Sequence, residues 1–112
     1  MRTIRNMLIA GLIMLAAPAW AGGGRWAKNH PRRHEVNQRL DRQERRVEAG
    51  ERKGQLSPQQ AAQIRSEDRG IRRQERSMAA KNGGHITRTE KRALNQEENQ
   101  VSRQIRRERH GR

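Results

Sequence analysis

Histidine and serine are the side chains in this sequence whose chemistry could serve metal binding or catalysis. His30 and His34 stand four residues apart, which would place both imidazoles on one face of a helix. Two such nitrogens bind a transition metal only weakly without further ligands, and the chain has no cysteine to supply them. The serines are explained as helix caps or solvated helix residues, and no carboxylate pair has a predicted apolar pocket. The sequence therefore predicts a protein that is not an enzyme and has no cofactor or metal.

Two segments thirty residues apart carry the signals that end one helix and begin the next. Residues 54–57 align with residues 84–87, and each segment starts with a glycine, which permits the left-handed backbone that ends a helix. Each segment finishes on Ser or Thr, with Gln or Glu three residues later, which is the spacing of a capping box. The predicted helix-capping residues are Ser57, Gln60, Thr87 and Glu90. The sequence therefore predicts a duplicated helix-loop-helix.

The aliphatic residues around these segments recur at steps of four, seven and eight, which indicates helices and not strands. Gln43, Gln74 and Gln104 occupy equivalent places three residues after an aliphatic residue, so they interrupt each apolar stripe and predict thin packing. The predicted fold is all-α, with about three helices near residues 33–51, 58–80 and 88–108 in an open or thinly packed arrangement.

The two predicted loops resemble the loops of EF-hands. With Gly84 in the sixth position of such a loop, Ile86 falls in the eighth and Glu90 in the twelfth, and the first loop fits in the same way. The positions that should supply calcium ligands hold Ala79, Lys81 and Gly83 in one loop, and Ala49, Glu51 and Lys53 in the other. The resemblance implies a degenerate, EF-hand-like turn without calcium, and vestigial calcium binding is an alternative left open.

Two further resemblances concern exported helical proteins. Residues 56–60 resemble the Leu-Thr-x-x-Gln motif of the Spy-like periplasmic chaperones, and residues 86–90 are a weaker match. In that family the motif begins helices of a cationic, cradle-like fold that holds unfolded clients. The repeated Gly-x-(Leu/Ile)-(Ser/Thr) pattern and the Asn-Gly-Gly loop also resemble a group of small basic exported bacterial helical proteins of unassigned activity. Both resemblances imply compartment and helical class, and neither implies a site residue.

The first 21 residues have the pattern of a cleavable signal peptide. Two arginines precede an apolar run over residues 7–17, which is too short to cross a bilayer comfortably. Ala19 and Ala21 stand at the two positions that a signal peptidase reads, which predicts cleavage after Ala21. We therefore expect a periplasmic or secreted protein with a Sec-type signal peptide and no transmembrane segment after cleavage.

Positive charge dominates the sequence and is concentrated near its ends. The chain has 26 Lys and Arg residues against 12 Asp and Glu residues, which gives a formal net charge of +14. The candidate contacts to a polyanion are Arg25, Lys28, Arg32, Arg33, Arg103, Arg106, Arg107 and Arg109. The predicted organisation is a signal peptide (1–21), a flexible basic arm (22–32), a helical repeat region (33–108) and a basic tail (109–112).

These features predict a non-enzymatic, exported, cationic helical interaction protein, with a chaperone-like or holdase-like role as the leading hypothesis. Its partners would be acidic or partly unfolded proteins, which meet exposed arginines beside short aliphatic stripes. The alternatives are a charge-driven binder of anionic envelope components or nucleic acid, and an EF-hand-like module. Against nucleic acid, single-strand binding normally uses aromatic platforms, and Trp26 is the one aromatic residue after the predicted cleavage site. We expect no small-molecule substrate, and a homo-oligomer is compatible with the narrow stripes.

Overall fold

Three long helices make up most of the residues that the structure, a computed structural model, describes, which are residues 24–111. They are α1 (Pro31–Arg52), α2 (Pro58–Lys81) and α3 (Arg88–His110). Residues 24–29 are also helical, and no strand occurs within the described range. The prediction of an all-α protein is confirmed, and each long helix begins and ends within two residues of its predicted bounds. The predicted signal peptide, with Ala19 and Ala21, lies outside the described residues.

The chain divides into two units, the first ending at Pro31 and the second beginning at Arg32. The described part of the first unit is a helical segment, where we expected loose chain over residues 22–32. His30 closes this segment, because its backbone N–H donates to the carbonyl oxygen of Trp26 at 2.8 Å. The imidazole also stacks on the Trp26 ring with 4.6 Å between the ring centroids. Charge composition did not reveal these local contacts, which favour a helix over an extended arm.

Reciprocal capping bonds hold both junctions between the long helices. Ser57 Oγ accepts from the Gln60 backbone N–H at 3.1 Å, and Gln60 Oε1 accepts from the Ser57 backbone N–H at 2.9 Å. Thr87 and Glu90 make the same two bonds at 3.1 and 2.8 Å. In the first junction, Gly54 has a φ of 71°, a conformation that glycine adopts without strain. The capping boxes therefore fix where α2 and α3 begin.

One seam of side chains on each helix forms the core, and its members follow one another in steps of three and four. The buried residues are Val36, Leu40, Gln43, Val47 and Gly50 on α1; Ala61, Ile64, Asp68, Ile71, Glu75 and Ala79 on α2; and Leu94, Glu98, Val101 and Ile105 on α3. The loop residues Leu56 and Ile86 join the same core. This spacing is typical of helices that pack side by side in a bundle. The three helices thus contribute to one buried core.

The three helices run up, down and up. α1 and α2 are antiparallel, since Arg33 near the start of α1 pairs with Glu75 near the end of α2, and Glu44 pairs with Arg65. α3 then returns in the direction of α1. The first loop therefore packs beside the C-terminal end of α3, and the second loop packs beside the N-terminal end of α1.

Polar side chains occupy four seam positions that hold aliphatic residues in a simple bundle. They are Gln43, Asp68, Glu75 and Glu98. Gln43 Nε2 donates to the backbone carbonyl oxygen of Glu98 at 2.8 Å, so this glutamine is part of the core that we expected it to interrupt. Its sequence equivalents differ, because Gln74 is exposed and Gln104 is half-buried. The core is therefore continuous but has a polar layer.

Candidate anion-binding face

Two stripes of charge flank the buried seam of α1. On one side the residues in steps of three and four are Arg39, Arg42, Arg46, Ala49 and Lys53. On the other side they are Asp41, Glu44, Glu48 and Glu51. Because such steps follow one edge of a helix, α1 presents opposite charges to its two neighbours.

The acidic stripe lies against α2, which neutralises its charge. Arg65 binds Glu44 and Glu51, with 2.8 Å between nitrogen and oxygen in each pair. Hydrogen bonds to Glu44 and then to Glu51 raise the pKa of the Arg65 guanidinium above its ordinary value. Further along, Arg72 lies 3.5 Å from Asp41. The boundary between α1 and α2 is therefore electrically balanced.

The basic stripe lies against α3, which offers mainly neutral partners. Arg39 donates to Asn99 Oδ1. Arg46 donates from Nη1 to Ser102 Oγ at 2.8 Å and from Nη2 to the Ser102 carbonyl oxygen at 3.3 Å. Among the described residues, the carboxylate nearest this stripe is that of the fully buried Glu98, whose Oε1 lies 4.0 Å from Arg39 Nη1. An ion pair between Glu35 of α1 and Lys91 of α3 lies nearer the start of both helices. From Arg39 onward, the boundary between α1 and α3 therefore keeps an excess of positive charge.

α3 adds two arginines to the same side of the bundle. Arg106 is exposed, and Arg109 is partly buried. Arg109 donates from Nε to Gln55 Oε1 at 2.7 Å and from Nη1 to the Arg46 carbonyl oxygen at 3.3 Å. We call this side of the molecule the arginine face and define it by Arg42, Arg45, Arg46, Lys53, Arg106 and Arg109.

Like charges crowd around Arg46 at the centre of the arginine face. Its pKa lies below the ordinary value of an arginine, because burial and the neighbouring Arg106, Arg109 and Arg39 all disfavour its charged form. The C-terminal ends of α1 and α3 point toward this end of the bundle, and each contributes about half a unit of negative charge. The six cations of the face exceed that charge several-fold. The helix ends therefore neutralise only a small part of the charge of the face.

A cavity of about 400 Å³ opens within the arginine face. Its lining residues are Arg42, Arg45, Arg46, Ala49, Lys53 and Arg109. Ala49 interrupts the basic stripe of α1 with a single methyl group, which leaves room that a longer side chain would fill. The cavity is therefore surrounded by cations on a small apolar floor.

The eight polyanion contacts predicted from the sequence fall into different environments. Arg32 and Arg33 donate to carbonyl oxygens of the second loop at 3.2 and 3.1 Å, so both have structural roles. The exposed ones are Arg25, Lys28, Arg103, Arg106 and Arg107. Two of the eight, Arg106 and Arg109, belong to the arginine face. α3 continues through Arg109 to His110, so the predicted basic tail at 109–112 begins inside a helix.

Sequence reasoning missed the α1 residues that form most of the arginine face. They are Arg42, Arg45, Arg46 and Lys53. Acidic residues lie between them in the sequence, so net charge per segment hides them. The signal that could have found them is the spacing of three and four, which separates the two charges onto different edges of α1.

Two arginine side chains bind the backbone of the second loop, whose residue spacing resembles that of an EF-hand loop. The Gly84 carbonyl oxygen accepts from Arg33 at 3.1 Å, and that of Ile86 accepts from Arg32 at 3.2 Å. Glu90, in the place of the twelfth-position ligand, accepts a bond of the helix cap. Between residues 24 and 111, no group of three or more His, Asp or Glu side chains converges as a metal site. Two guanidinium groups thus bind the backbone of this loop.

Asp68 and Glu98 are buried carboxyl groups inside the bundle. Asp68 is 9% exposed and Glu98 is 0% exposed, and none of their carboxyl oxygens has a hydrogen-bond partner. Burial, with help from Glu44 and Glu67, raises the pKa of Asp68 to about 7. Burial also raises the pKa of Glu98 to about 8, against the opposing effect of Arg39. The bundle therefore favours neutral carboxyl groups at its centre.

Comparison with known proteins finds no match: no family model, no curated protein and no solved structure corresponds to this chain. The resemblances to Spy-like chaperones, to EF-hands and to small basic exported proteins stay predictions. Along residues 24–111, no helix is both long and apolar enough to cross a membrane.

Proposed function

We propose that this protein is a non-enzymatic binder of anionic polymers and that the arginine face is its contact surface. The observation that carries the proposal is the sidedness of α1 over residues 41–53. There Glu44 and Glu51 pair with Arg65 of α2, while the Arg46 side chain donates to the hydroxyl and carbonyl oxygens of Ser102 of α3. Along this stretch, one boundary of α1 is neutralised and the other stays charged. Guanidinium groups suit phosphate, sulfate and carboxylate, because their planar donors bind two oxygens at once.

Export from the cytoplasm is part of the proposal, on the strength of the signal-peptide pattern in residues 1–21. Anionic components of the cell envelope would then be the partners within reach. The residues of the arginine face include no aromatic side chain for base stacking, which favours polymers without bases over single-stranded nucleic acid.

The holdase-like role stays a hypothesis with less support from the bundle. It relied on exposed arginines beside short aliphatic stripes. In the bundle the large aliphatic side chains are buried, as Leu40, Ile64 and Leu94 illustrate, and Met78 is partly buried against the same core. A surface that holds unfolded clients needs exposed apolar area, whereas this bundle offers charge.

Binding of fluorescein-labelled heparin, followed by fluorescence anisotropy at increasing salt, tests the proposal. The double variant Arg42→Gln/Arg106→Gln removes two charges from the arginine face. The matched control, Arg73→Gln/Arg76→Gln, removes two charges from exposed positions on α2. We expect the face variant to bind about tenfold more weakly than wild type and the control to stay within about twofold, because contact charges outweigh distant screened ones.

The salt dependence and the fold of the variants complete this experiment. Wild-type affinity should fall steeply as salt rises, since each contact displaces counterions from the polymer. Circular dichroism should show equal helicity in both variants, because all four substituted side chains are exposed. Equal loss of affinity in the two double variants would refute the proposal, because net charge and not the arginine face would then govern binding.

A further inference from the structure

We infer that the cavity in the arginine face is a binding site for a compact anion that carries several phosphate groups. This inference rests on the proposed function and gives it a ligand class. Contact with a long polymer requires only a charged surface, whereas this face also has an open depression of about 400 Å³. That volume falls in the range of about 300–1,000 Å³ that small-molecule sites occupy.

Two guanidinium groups at the cavity are already held in position. Arg46 is fixed by its two bonds to Ser102, and Arg109 is fixed by bonds to Gln55 and to the Arg46 carbonyl oxygen. A guanidinium group has five N–H donors, so each side chain keeps donors that these bonds do not use. Because the side chains are already ordered, an anion that binds them loses less conformational entropy.

The remaining cations complete the site from its rim. Arg42, Arg45 and Lys53 are exposed and line the same cavity, and none of the lining residues is acidic. Five cations around one cavity match a ligand with several negative charges better than a singly charged ion. Phosphate groups joined in a short chain place many oxygen acceptors in a small volume, which suits the forked donors of arginine. The cavity therefore selects a short oligophosphate or a multiply phosphorylated headgroup.

Ala49 gives a test that leaves every charge in place. The variant Ala49→Leu should make the cavity shallower at its centre while it preserves the helix and all six cations of the arginine face. The matched control is Ala62→Leu, at an exposed position of α2. Isothermal titration with inorganic tripolyphosphate should give one site per chain in the wild type, an affinity about tenfold weaker in Ala49→Leu and little change in Ala62→Leu. Heparin binding should change less than tripolyphosphate binding, since the rest of the face is intact.

The outcomes separate this inference from the proposed function. Equal tripolyphosphate affinity in Ala49→Leu and Ala62→Leu would overturn the cavity as the site, even if heparin binding still depended on Arg42 and Arg106. If the wild type binds neither tripolyphosphate nor heparin, the proposed function fails as well. A second arm uses vesicles that contain phosphatidylinositol bisphosphate, whose headgroup carries several phosphate groups. Weaker binding of Ala49→Leu to tripolyphosphate alone supports a free oligophosphate, and weaker binding to both tripolyphosphate and the vesicles supports a lipid-borne headgroup.

Discussion

Arg46 of α1 donates to Ser102 Oγ of α3 at 2.8 Å, a pairing of a guanidinium group with a neutral hydroxyl. On the opposite edge of the same helix, Glu44 meets Arg65 at the same distance. The bundle therefore has an ion pair on one edge of α1 and an uncompensated cation on the other. This asymmetry links the packing of the helices to the proposed binding of anions.

A carboxylate at position 102 should stabilise the bundle and impair its function. In Ser102→Asp, the new carboxylate would lie close to the guanidinium group of Arg46. The pair should raise the free energy of unfolding by about 1 kcal/mol, which corresponds to a Tm increase of a few degrees. Heparin affinity should fall, because the new charge neutralises the centre of the arginine face. Thermal melts and anisotropy titrations measure the two effects.

The control for this variant is Ser77→Asp, which adds the same charge at an exposed position of α2. It should reduce heparin affinity only slightly. A Ser102→Asp variant that is more stable and still binds heparin like the wild type would argue against the arginine face as the binding surface.

Stability should fall as pH rises from about 4 to about 8. The folded-state pKa values of Asp68 and Glu98 are raised to about 7 and about 8, above those of exposed carboxyl groups. The folded state therefore holds protons that the unfolded state releases, so the unfolded state binds fewer protons and the slope of stability against pH is negative. The stabilisation is complete below the unfolded pKa values and is lost once the pH passes the folded ones. Urea unfolding at pH 5 and pH 9 measures the difference.

Other charged groups near the two carboxyl groups also act on their pKa values, which the carboxylates raise and the arginines lower. Those acting on Asp68 are Glu44, Glu67 and Arg72, and those acting on Glu98 are Arg39, Arg42, Arg72 and Asp68 itself. The variant Asp68→Asn/Glu98→Gln keeps the shape of both side chains without a titrating proton. We expect its stability to change little over the same range, and a wild-type slope that persists in this variant would assign the pH dependence to other groups.

Arg33 and Glu75 form an ion pair whose loss should weaken the bundle. Arg33 Nε lies 2.7 Å from Glu75 Oε2, and the glutamate side chain is 1% exposed. Arg33→Leu should lower the free energy of unfolding by about 3 kcal/mol, because it leaves a buried carboxylate without its cation. The double variant Arg33→Leu/Glu75→Leu should recover most of this loss. Urea unfolding tests both, and additive losses in the double variant would show that the two side chains do not interact.

Two helical glycines should respond to alanine in opposite ways. At Gly50 an added Cβ would lie 2.7 Å from Leu56 Cδ1 and 2.8 Å from Leu56 Cγ, and both residues are buried. At Gly70 the nearest atom would be Arg73 Nη2 at 3.7 Å, which is ordinary contact. Gly70→Ala should raise the free energy of unfolding by about 0.5–1 kcal/mol through helix propensity. Gly50→Ala should lower it by about 1–3 kcal/mol, because overpacking displaces Leu56. Thermal melts measure both effects. A higher Tm in both variants than in the wild type would contradict the packing of Gly50 against Leu56.

Local signals in the sequence predicted most of the fold. Ser57 and Thr87, each followed three residues later by Gln60 or Glu90, predicted where α2 and α3 begin, because capping depends on residues close in sequence. The polar layer of the core was not predicted. A glutamate such as Glu98 usually occupies a solvent-exposed position on a helix. Only the packing of the three helices buries its side chain.

The candidate site was only partly predicted from the sequence. Net charge near the ends of the chain predicted Arg32 and Arg33 as contacts to an anion. In the structure, both side chains donate to carbonyl oxygens of the second loop. Arg42 and Arg46 were not predicted as contacts, because the sequence does not show which helix packs against each edge of α1. A charge pattern indicates an edge of a helix, whereas the helix that covers that edge determines whether the charge is neutralised.

Nuclear magnetic resonance mapping tests most directly whether the arginine face holds the anion. A heparin oligosaccharide would be titrated into isotope-labelled protein, and the backbone and arginine Nε–Hε signals would be followed. We expect the largest chemical-shift changes in residues 42–53 of α1 and 102–109 of α3, with little change at Arg73 and Arg76 of α2. Changes that are largest at Arg73 and Arg76, or equal at all exposed arginines, would contradict the proposed contact surface.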